Sequence, residues 1–335
     1  MMRAMNRPDS QLHPFALLTP DFVLDAMESS GWLPDGRIFA LNSYENRVYQ
    51  IGIEEGEPLI AKFYRPGRWS REQILEEHGF VRELQEQELP VVAPLSAANG
   101  STLQEWQGMT FALFPRKGGR APELDNPDHL YSLGQALGRL HCVGKACPFR
   151  HRPTLSVATF GEESVRYVAE QMIPASLKLS YETLCRDLLR KIGQRFASVP
   201  SLERIRVHGD CHVGNILWRD ETPCFIDFDD ARMAPTIQDL WMLLSGSREE
   251  QRIQMSEIIE GYEVFHSFSL AELQLVESLR TLRMLHHAAW LARRWSDPAF
   301  PLHFPWFNTE RYWGTHILEL REQLFALDEP PLQLS

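Results

Sequence analysis

In the first third of the chain, apolar and polar positions alternate in short runs. Arg47–Ile53 (RVYQIGI) has the two-residue period of a strand, an acidic turn (EEGEP) follows, and Leu59–Tyr64 (LIAKFY) resumes the pattern. The pair predicts a β-hairpin. Residues 20–30 predict a short helix with Pro20 and Asp21 at its start. Residues 70–88 predict a longer one opened by Ser70, with Ile74, His78, Val81 and Leu84 at helical spacing. Val91–Leu95 and Gly108–Phe114 predict further strands, and Pro115–Gly119 (PRKGG) a linker. Beyond that linker the period becomes helical. Residues 127–144 carry Leu130, Leu133, Leu137 and Leu140 on one face, and 160–198, 248–265 and 271–295 also predict helices. One β interruption (IRVHGD, NILW, PCFIDFDD) occupies 205–230. Strands first and helices later predict an α+β, bilobal fold: a small β-rich lobe over 1–115 and a larger helical lobe over 116–335.

Composition narrows the function. The 335 residues are 44% hydrophobic and 24% charged, which is globular, with no internal repeat. A net charge of −11, from 45 acidic against 34 basic residues, argues against a dedicated nucleic-acid or anionic-membrane binder, since polyphosphate backbones need clustered Lys and Arg. It leaves room for a single nucleotide, which a few local donors can hold. Five cysteines (Cys142, Cys147, Cys185, Cys211, Cys224) without a C-x-x-C pair predict reduced intracellular thiols. The start, MMRAMNRPDSQLHPF, has no apolar core of signal-peptide length, and no apolar run long enough to span a membrane occurs. A cytoplasmic chain is expected, acting as a monomer without nucleic-acid or membrane partners.

The chemistry concentrates in His208-Gly209-Asp210-Cys211-His212-Val213-Gly214-Asn215, followed by Asp227 in the apolar frame Phe225-Ile226-Asp227-Phe228. Phosphoryl transfer needs such a set: one carboxylate to orient or deprotonate the attacking hydroxyl, plus an amide and a second carboxylate to hold Mg²⁺ on the phosphates. The spacing of Asp210 and Asn215 is that of a kinase catalytic loop. A turn alone would also use Asp and Asn, but an Asp in an apolar frame has no packing reason to be there. His208 and His212 stand at the i, i+4 spacing of a zinc helix. The two glycines and the β pattern oppose a helix, and the Glu of that motif is missing. His208 is expected to brace the loop through backbone bonds.

Upstream, Lys62 sits mid-strand in LIAKFY, where a lysine can reach α- and β-phosphates, and Glu76 and Glu77 follow on the next predicted helix. Glu77 is the preferred partner for Lys62, because it shares a face with Phe80 and Leu84. There is no G-x-G-x-x-G and no Walker A sequence. Leu41–Tyr49 (LNSYENRVY), with Ser43, stands at the phosphate-loop position instead, either to present N–H and hydroxyl groups to phosphates or simply as a turn between strands. Phe114, Pro115 and Arg116 would form the hinge beside adenine.

These residues, in this order, resemble the aminoglycoside phosphotransferase and choline kinase branch of the protein-kinase-like superfamily, in which H-G-D replaces H-R-D and I-D-x replaces D-F-G. Longer blocks are similar to a family of bacterial serine/threonine protein kinases of the stress response within that branch: LNSYENRVYQ, AKFYRP, HGDCHVGNILWRD, DDAR, QDLWMLL and W-x-D-P-A-F-P. The resemblance runs from about Leu41 to the PPLQL end. It implies Asp210 as catalytic base, Asn215 and Asp227 as Mg²⁺ ligands with Asp227 counted among the catalytic residues, and Ser43 touching ATP. It implies Asp239 as a structural acid on the catalytic loop. It also implies ATP as donor, autophosphorylation and a protein substrate with a Ser or Thr acceptor.

Two other readings share these residues. The same machinery could phosphorylate a small alcohol of the aminoglycoside, choline or homoserine kind, for which Asp229 and Asp230 could line an acidic cleft. A pseudokinase that binds nucleotide as an interaction module is opposed by the intact Lys62, Asp210, Asn215 and Asp227. The aromatic stretch Trp290–Trp313 is either a substrate platform or core packing.

Overall fold

The computed structural model describes residues 13–334, so the reading of the first residues as lacking a leader lies outside it. The chain forms two compact units. One comprises the residues up to Arg71 with Pro94–Arg116 and Trp295–Pro305; the other comprises Glu72–Ala93, Lys117–Arg294 and the residues from Trp306 on.

The first unit is built on a five-stranded antiparallel sheet: β1 (Pro34–Leu41), β2 (Arg47–Ile53), β3 (Leu59–Phe63), β4 (Gln104–Trp106) and β5 (Met109–Pro115), in the order β1-β2-β3-β5-β4. The hairpin expected from the alternation is β2–β3, in the register Val48↔Lys62 and Tyr49↔Ala61. Helix α1 (Pro20–Ser29) starts at Thr19, whose hydroxyl accepts from Phe22 N–H, and it buries Phe22, Val23, Ala26 and Met27. These pack on Ile51, Leu59, Ala61, Phe63, Phe111 and Leu113 of the sheet to form the unit's core.

Two strands of this sheet went unseen in the sequence. Strand β1 is an edge strand, mostly exposed, and opens with Pro-Asp-Gly, with a register shift between Pro34 and Ile38, so no clean alternation marks it. Strand β4 is only three residues long. Conversely, Val91–Leu95 is not a strand. It makes a single parallel bridge, Val91 to Phe225, because Pro90 and Pro94 supply no ladder N–H groups.

The second unit is helical: α2 (Arg71–Glu86, whose first residue belongs to the sheet unit), α3 (Pro127–Ala146), α4 (Glu163–Gln171), α5 (Ala175–Ser198), α6 (Ile237–Trp241), α7 (Arg248–Tyr262), α8 (Val276–Arg294) and α10 (Glu310–Ala326). Short α9 (Ala299–His303) belongs to the sheet unit. The single helix expected over 160–198 is a π turn (Val157–Glu162), α4 and α5, broken before Pro174, which cannot continue a helix. The one expected over 271–295 opens as a 3-10 turn, Leu270–Leu275. Helices α3 and α7 approach closely through glycines: a Cβ on Gly134 would lie 2.0 Å from the Ile258 carbonyl, and one on Gly261 2.0 Å from that of Tyr131. Four short strands frame the motif: β6 (Ile205–Val207) pairs with β9 (Arg232–Ala234), and β7 (Ile216–Arg219) with β8 (Thr222–Phe225).

Part of the aromatic stretch is core packing. Trp313 and Phe307 are fully buried in the helical unit, 5.4 Å apart between ring centroids, and Phe300 is buried in the sheet unit; Trp306 is half exposed. All five cysteines are free thiols, and no described helix is long and apolar enough to cross a membrane.

Candidate active site

The segment from β6 to the residues after β8 is held by backbone hydrogen bonds to buried side chains. Gly209 has φ +85°, and a Cβ there would meet the Asp230 carbonyl at 2.2 Å, so only glycine fits the turn. Asp239, fully buried on α6, accepts from the backbone N–H groups of His208 (2.7 Å) and Gly209 (2.8 Å). That is the place expected of a structural acid. His141 of α3 meets the same carboxylate at 3.2 Å and turns its other nitrogen to the Tyr262 hydroxyl at 2.8 Å. Gln238 donates to the Gly209 carbonyl at 3.0 Å.

His208 braces the loop as expected. Its Nδ1 accepts from Asp210 N–H at 3.3 Å, which leaves the proton on Nε2 to donate to the Ile226 carbonyl at 2.9 Å. No helix forms there, and among the described residues no group of three or more His, Cys, Asp or Glu could hold a metal, so the zinc reading fails.

This frame brings Asp210, Asn215 and Asp227 together. The Asn215 Nδ2 donates to the Asp210 carbonyl at 3.0 Å, and Ile226 N–H donates to the Asn215 carbonyl at 3.0 Å, so Asn215 and Asp227 flank one backbone bond at the open end of the β7–β8 pair. With Nδ2 committed, Oδ1 of Asn215 is the amide's acceptor end. Asp227 lies past the end of β8, in left-handed backbone (φ 58°, ψ 66°), a conformation that costs a non-glycine residue about 1 kcal/mol or more. Strain of this kind persists where the surrounding structure over-determines it, and here it sits at an exposed carboxylate just past the hairpin.

Asp210 is only partly exposed and has two hydrogen-bond donors beside it. His212 Nε2 lies 3.4 Å from Oδ2, and the Arg283 guanidinium of α8 bonds Oδ1. His212 Nδ1 accepts from Gly214 N–H at 2.9 Å, so its Nε2 carries the proton and faces the carboxylate. Burial alone pushes the Asp210 carboxyl up, but the His212 hydrogen bond and the Arg283 charge more than reverse that. They hold it well below the usual carboxylate range. Asp210 therefore stays ionised and accepts hydrogen bonds throughout the physiological range. Of the two neighbouring carboxylates, Asp229 is buried, and Asp230 pairs with Arg232 at 2.6 Å.

Glu76 accepts from the backbone N–H groups of Arg150, His151 and Arg152, which commits it to a turn. Glu77 is the buried carboxylate of α2, 3.4 Å from Arg152, which also bonds the carbonyls of Asp229 and Ala231.

In the sheet unit, Lys62 occupies a central strand, not a solvated edge. It is buried between Val48 and Ala112 on the neighbouring strands, with its ammonium 5.3 Å from the Tyr64 ring centroid. Phe114 is half-buried on β5, opposite Ile60. Ser43 lies in the β1–β2 turn, its hydroxyl 3.3 Å from the Asn46 carbonyl. That turn has a buried brace absent from the sequence reading. The Arg65 guanidinium donates to the Glu45 carbonyl (2.9 Å), the Tyr44 carbonyl (3.2 Å) and Asp297 Oδ2 (2.6 Å), and Arg65 N–H donates to Asn46 Oδ1. Burial alone would raise the Asp297 carboxyl, yet the Arg65 bond, the Ala299 N–H and His13 hold it below its ordinary value.

Residues 38–276 match the model of the phosphotransferase enzyme family. The chain is 46% identical over 322 residues to stress response kinase A of Escherichia coli, covering 96% of this chain and 97% of that one. It is 47% identical over 323 residues to the serine/threonine protein kinase RdoA of Salmonella typhimurium, with the same coverage. Among solved structures, amicoumacin kinase hAmiN in complex with AMP-PNP, Ca²⁺ and its ligand superposes with a TM-score of 0.70 at 20% identity, over 92% of this chain and 93% of that one. These likenesses accord with the expected α+β, protein-kinase-like fold.

Proposed function

The chain belongs to the phosphotransferase enzyme family, and from that premise we propose that it moves the γ-phosphoryl group of ATP, with Mg²⁺, onto Ser or Thr hydroxyls of protein, itself included, in a bacterial stress response. The names of the two 46–47% identical relatives support the Ser/Thr acceptor and the stress setting, and the AMP-PNP and Ca²⁺ of the amicoumacin kinase support a nucleotide with a divalent ion. The observation that carries the reading is the ionised Asp210 joined through its carbonyl to Asn215, whose own carbonyl takes the N–H of Ile226 next to Asp227.

Asp210 takes the acceptor O–H as a hydrogen-bond donor and points its oxygen at phosphorus. The new O–P bond forms as the bond to the ADP oxygen breaks, and the proton leaves through the carboxylate. A carboxylate held this acidic is a weak base, which suits a loose transition state in which positioning matters more than proton abstraction. Asn215 Oδ1 and the Asp227 carboxylate are hard oxygen donors that fit Mg²⁺. Bound there, a divalent ion neutralises charge on the phosphate oxygens. Lys62 and Ser43 are assigned to the phosphates, Glu77 to steadying Lys62, and Phe114 to the adenine side. The lobe over 1–115 is assigned to nucleotide and that over 116–335 to catalysis and acceptor.

The test is purified protein with labelled ATP and Mg²⁺, offered a generic protein acceptor and a panel of small alcohols. Phosphoserine or phosphothreonine on the protein or on the chain itself is expected. Label only on a small alcohol would overturn the protein-acceptor reading while leaving the phosphotransferase assignment in place.

A further inference from the structure

The Asp210 backbone is joined to Asn215, an oxygen donor of the β7–β8 hairpin, by the Asn215 bond to its carbonyl. The Asp210 side chain is met from α8, which sends Arg283 to Oδ1. An acceptor hydroxyl oriented by Asp210 must come to the carboxylate that Arg283 touches, so the Arg283 guanidinium lies beside the acceptor.

The α8 side is cationic. Arg283 is 41% exposed at its side chain; its Nη1 is used by Asp210 and the Met242 sulfur, while Nε and Nη2 make no hydrogen bond with any described residue. His287 and Trp290 follow at i+4 and i+7, so they continue the same face of α8, with their rings 5.5 Å apart. Crowding by surrounding atoms first, and the Arg283 charge second, push the His287 imidazole down to about 4 against the opposing pull of Asp210, so at neutral pH it is an uncharged hydrogen-bonding ring that still reaches solvent. The one acidic residue of α8, Glu277, lies in its first turn and pairs with Arg280 at 3.2 Å. Within the loop itself, His212 adds a donor to Asp210, and Asp230 pairs with Arg232.

We propose that Arg283 selects the acceptor: its free guanidinium edge takes a carboxylate flanking the target Ser or Thr, so the enzyme favours acidic segments and turns away ammonium-bearing acceptors. This rests on the Ser/Thr reading above and deepens it. A planar guanidinium with unspent donors matches a carboxylate in two-point fashion. An ammonium group brought to the same place would meet like charge beside a carboxylate that is already paired. The site thus opposes the small cationic alcohol as substrate, and it does so through a residue on the acceptor side, not through the nucleotide machinery.

The experiment measures kcat/KM for three matched Ser peptides, flanked by Asp and Glu, by Gln and Asn, or by Lys and Arg, using wild type, Arg283→Gln, Arg283→Glu and Arg283→Lys. Wild type should prefer the acidic over the basic peptide by roughly tenfold or more. Arg283→Gln should flatten that ratio, Arg283→Glu should invert it, and Arg283→Lys should keep its sign. The ratio is the readout, because loss of the Asp210 contact lowers turnover on all three peptides alike. An equal or basic preference in the wild type, or a ratio unmoved in Arg283→Glu, overturns the proposal. If no peptide is phosphorylated, the Ser/Thr reading fails, and the same comparison is made with glycerate against choline. Preference for glycerate, lost in Arg283→Gln, upholds the charge selection; preference for choline overturns it.

Discussion

Asp210 and Ser43 sit on loops held by different means. The loop carrying Asp210 is fixed by its near neighbours in sequence: His208 bonds Asp210 N–H, Asn215 bonds the Asp210 carbonyl, and Asp239, 30 residues on, takes two backbone N–H groups. The loop carrying Ser43 is fixed by Arg65 and by Asp297, the latter arriving from 232 residues beyond Arg65. Local bracing gives the Asp210 backbone a position that depends on the α6 carboxylate and one hairpin. Remote bracing makes the phosphate-loop candidate depend on whether the Trp295–Pro305 segment is seated in its unit. The difference is one of robustness. A change in the late segment should disturb the second loop and spare the first.

The same contrast explains what could be read from the sequence. The Asp210, Asn215 and Asp227 set was legible because its chemistry is contiguous and its spacing is dictated by a turn and a hairpin. The bracing by His208 followed from the loop's own residues and Asp239 from the family resemblance, and both have the expected contacts. Arg65, Asp297, Arg283 and Gln238 were not legible, since each acts through a contact that no local spacing encodes. Burial of Lys62 was hidden too: its strand pattern looks the same at an edge as at the centre, and only the order β1-β2-β3-β5-β4 decides. The strand expected at Val91–Leu95 shows the converse error, in which apolar β-branched residues promised pairing that two prolines prevent.

The largest expected effect outside Asp210 lies at the hairpin. Asp227→Ala should lower phosphoryl transfer by roughly 10²–10³-fold, the range seen when one preorganised charge partner is lost, and Asn215→Ala should follow it. Both should raise the Mg²⁺ concentration needed for half-maximal rate, read from metal titrations of activity. Asp229→Ala should shift that titration less, and a larger shift there would reassign the metal carboxylate.

Next come the two buried braces. Asp239→Ala leaves two backbone N–H groups and His141 without their acceptor, and Asp297→Ala leaves Arg65 buried beside one fewer carboxylate. Each should cost about 3–5 kcal/mol in urea unfolding, as breaking a buried charged contact does. Their functional signatures should separate. The milder Asp297→Asn should raise the KM for ATP with little change in single-turnover rate, whereas Asp239→Asn should lower the rate. If both variants shift both quantities equally, the two loops are not braced independently.

The central claim is that Asp210 positions the acceptor and does not bind the nucleotide. Its most direct test is the single-turnover rate of phosphate transfer for Asp210→Asn, measured beside the Kd for ATP with Mg²⁺ on the same protein. The rate should fall by roughly 10²–10⁴-fold while the Kd stays near that of the wild type. A rate within about threefold of wild type, where removing a working base costs at least a hundredfold, would contradict the account.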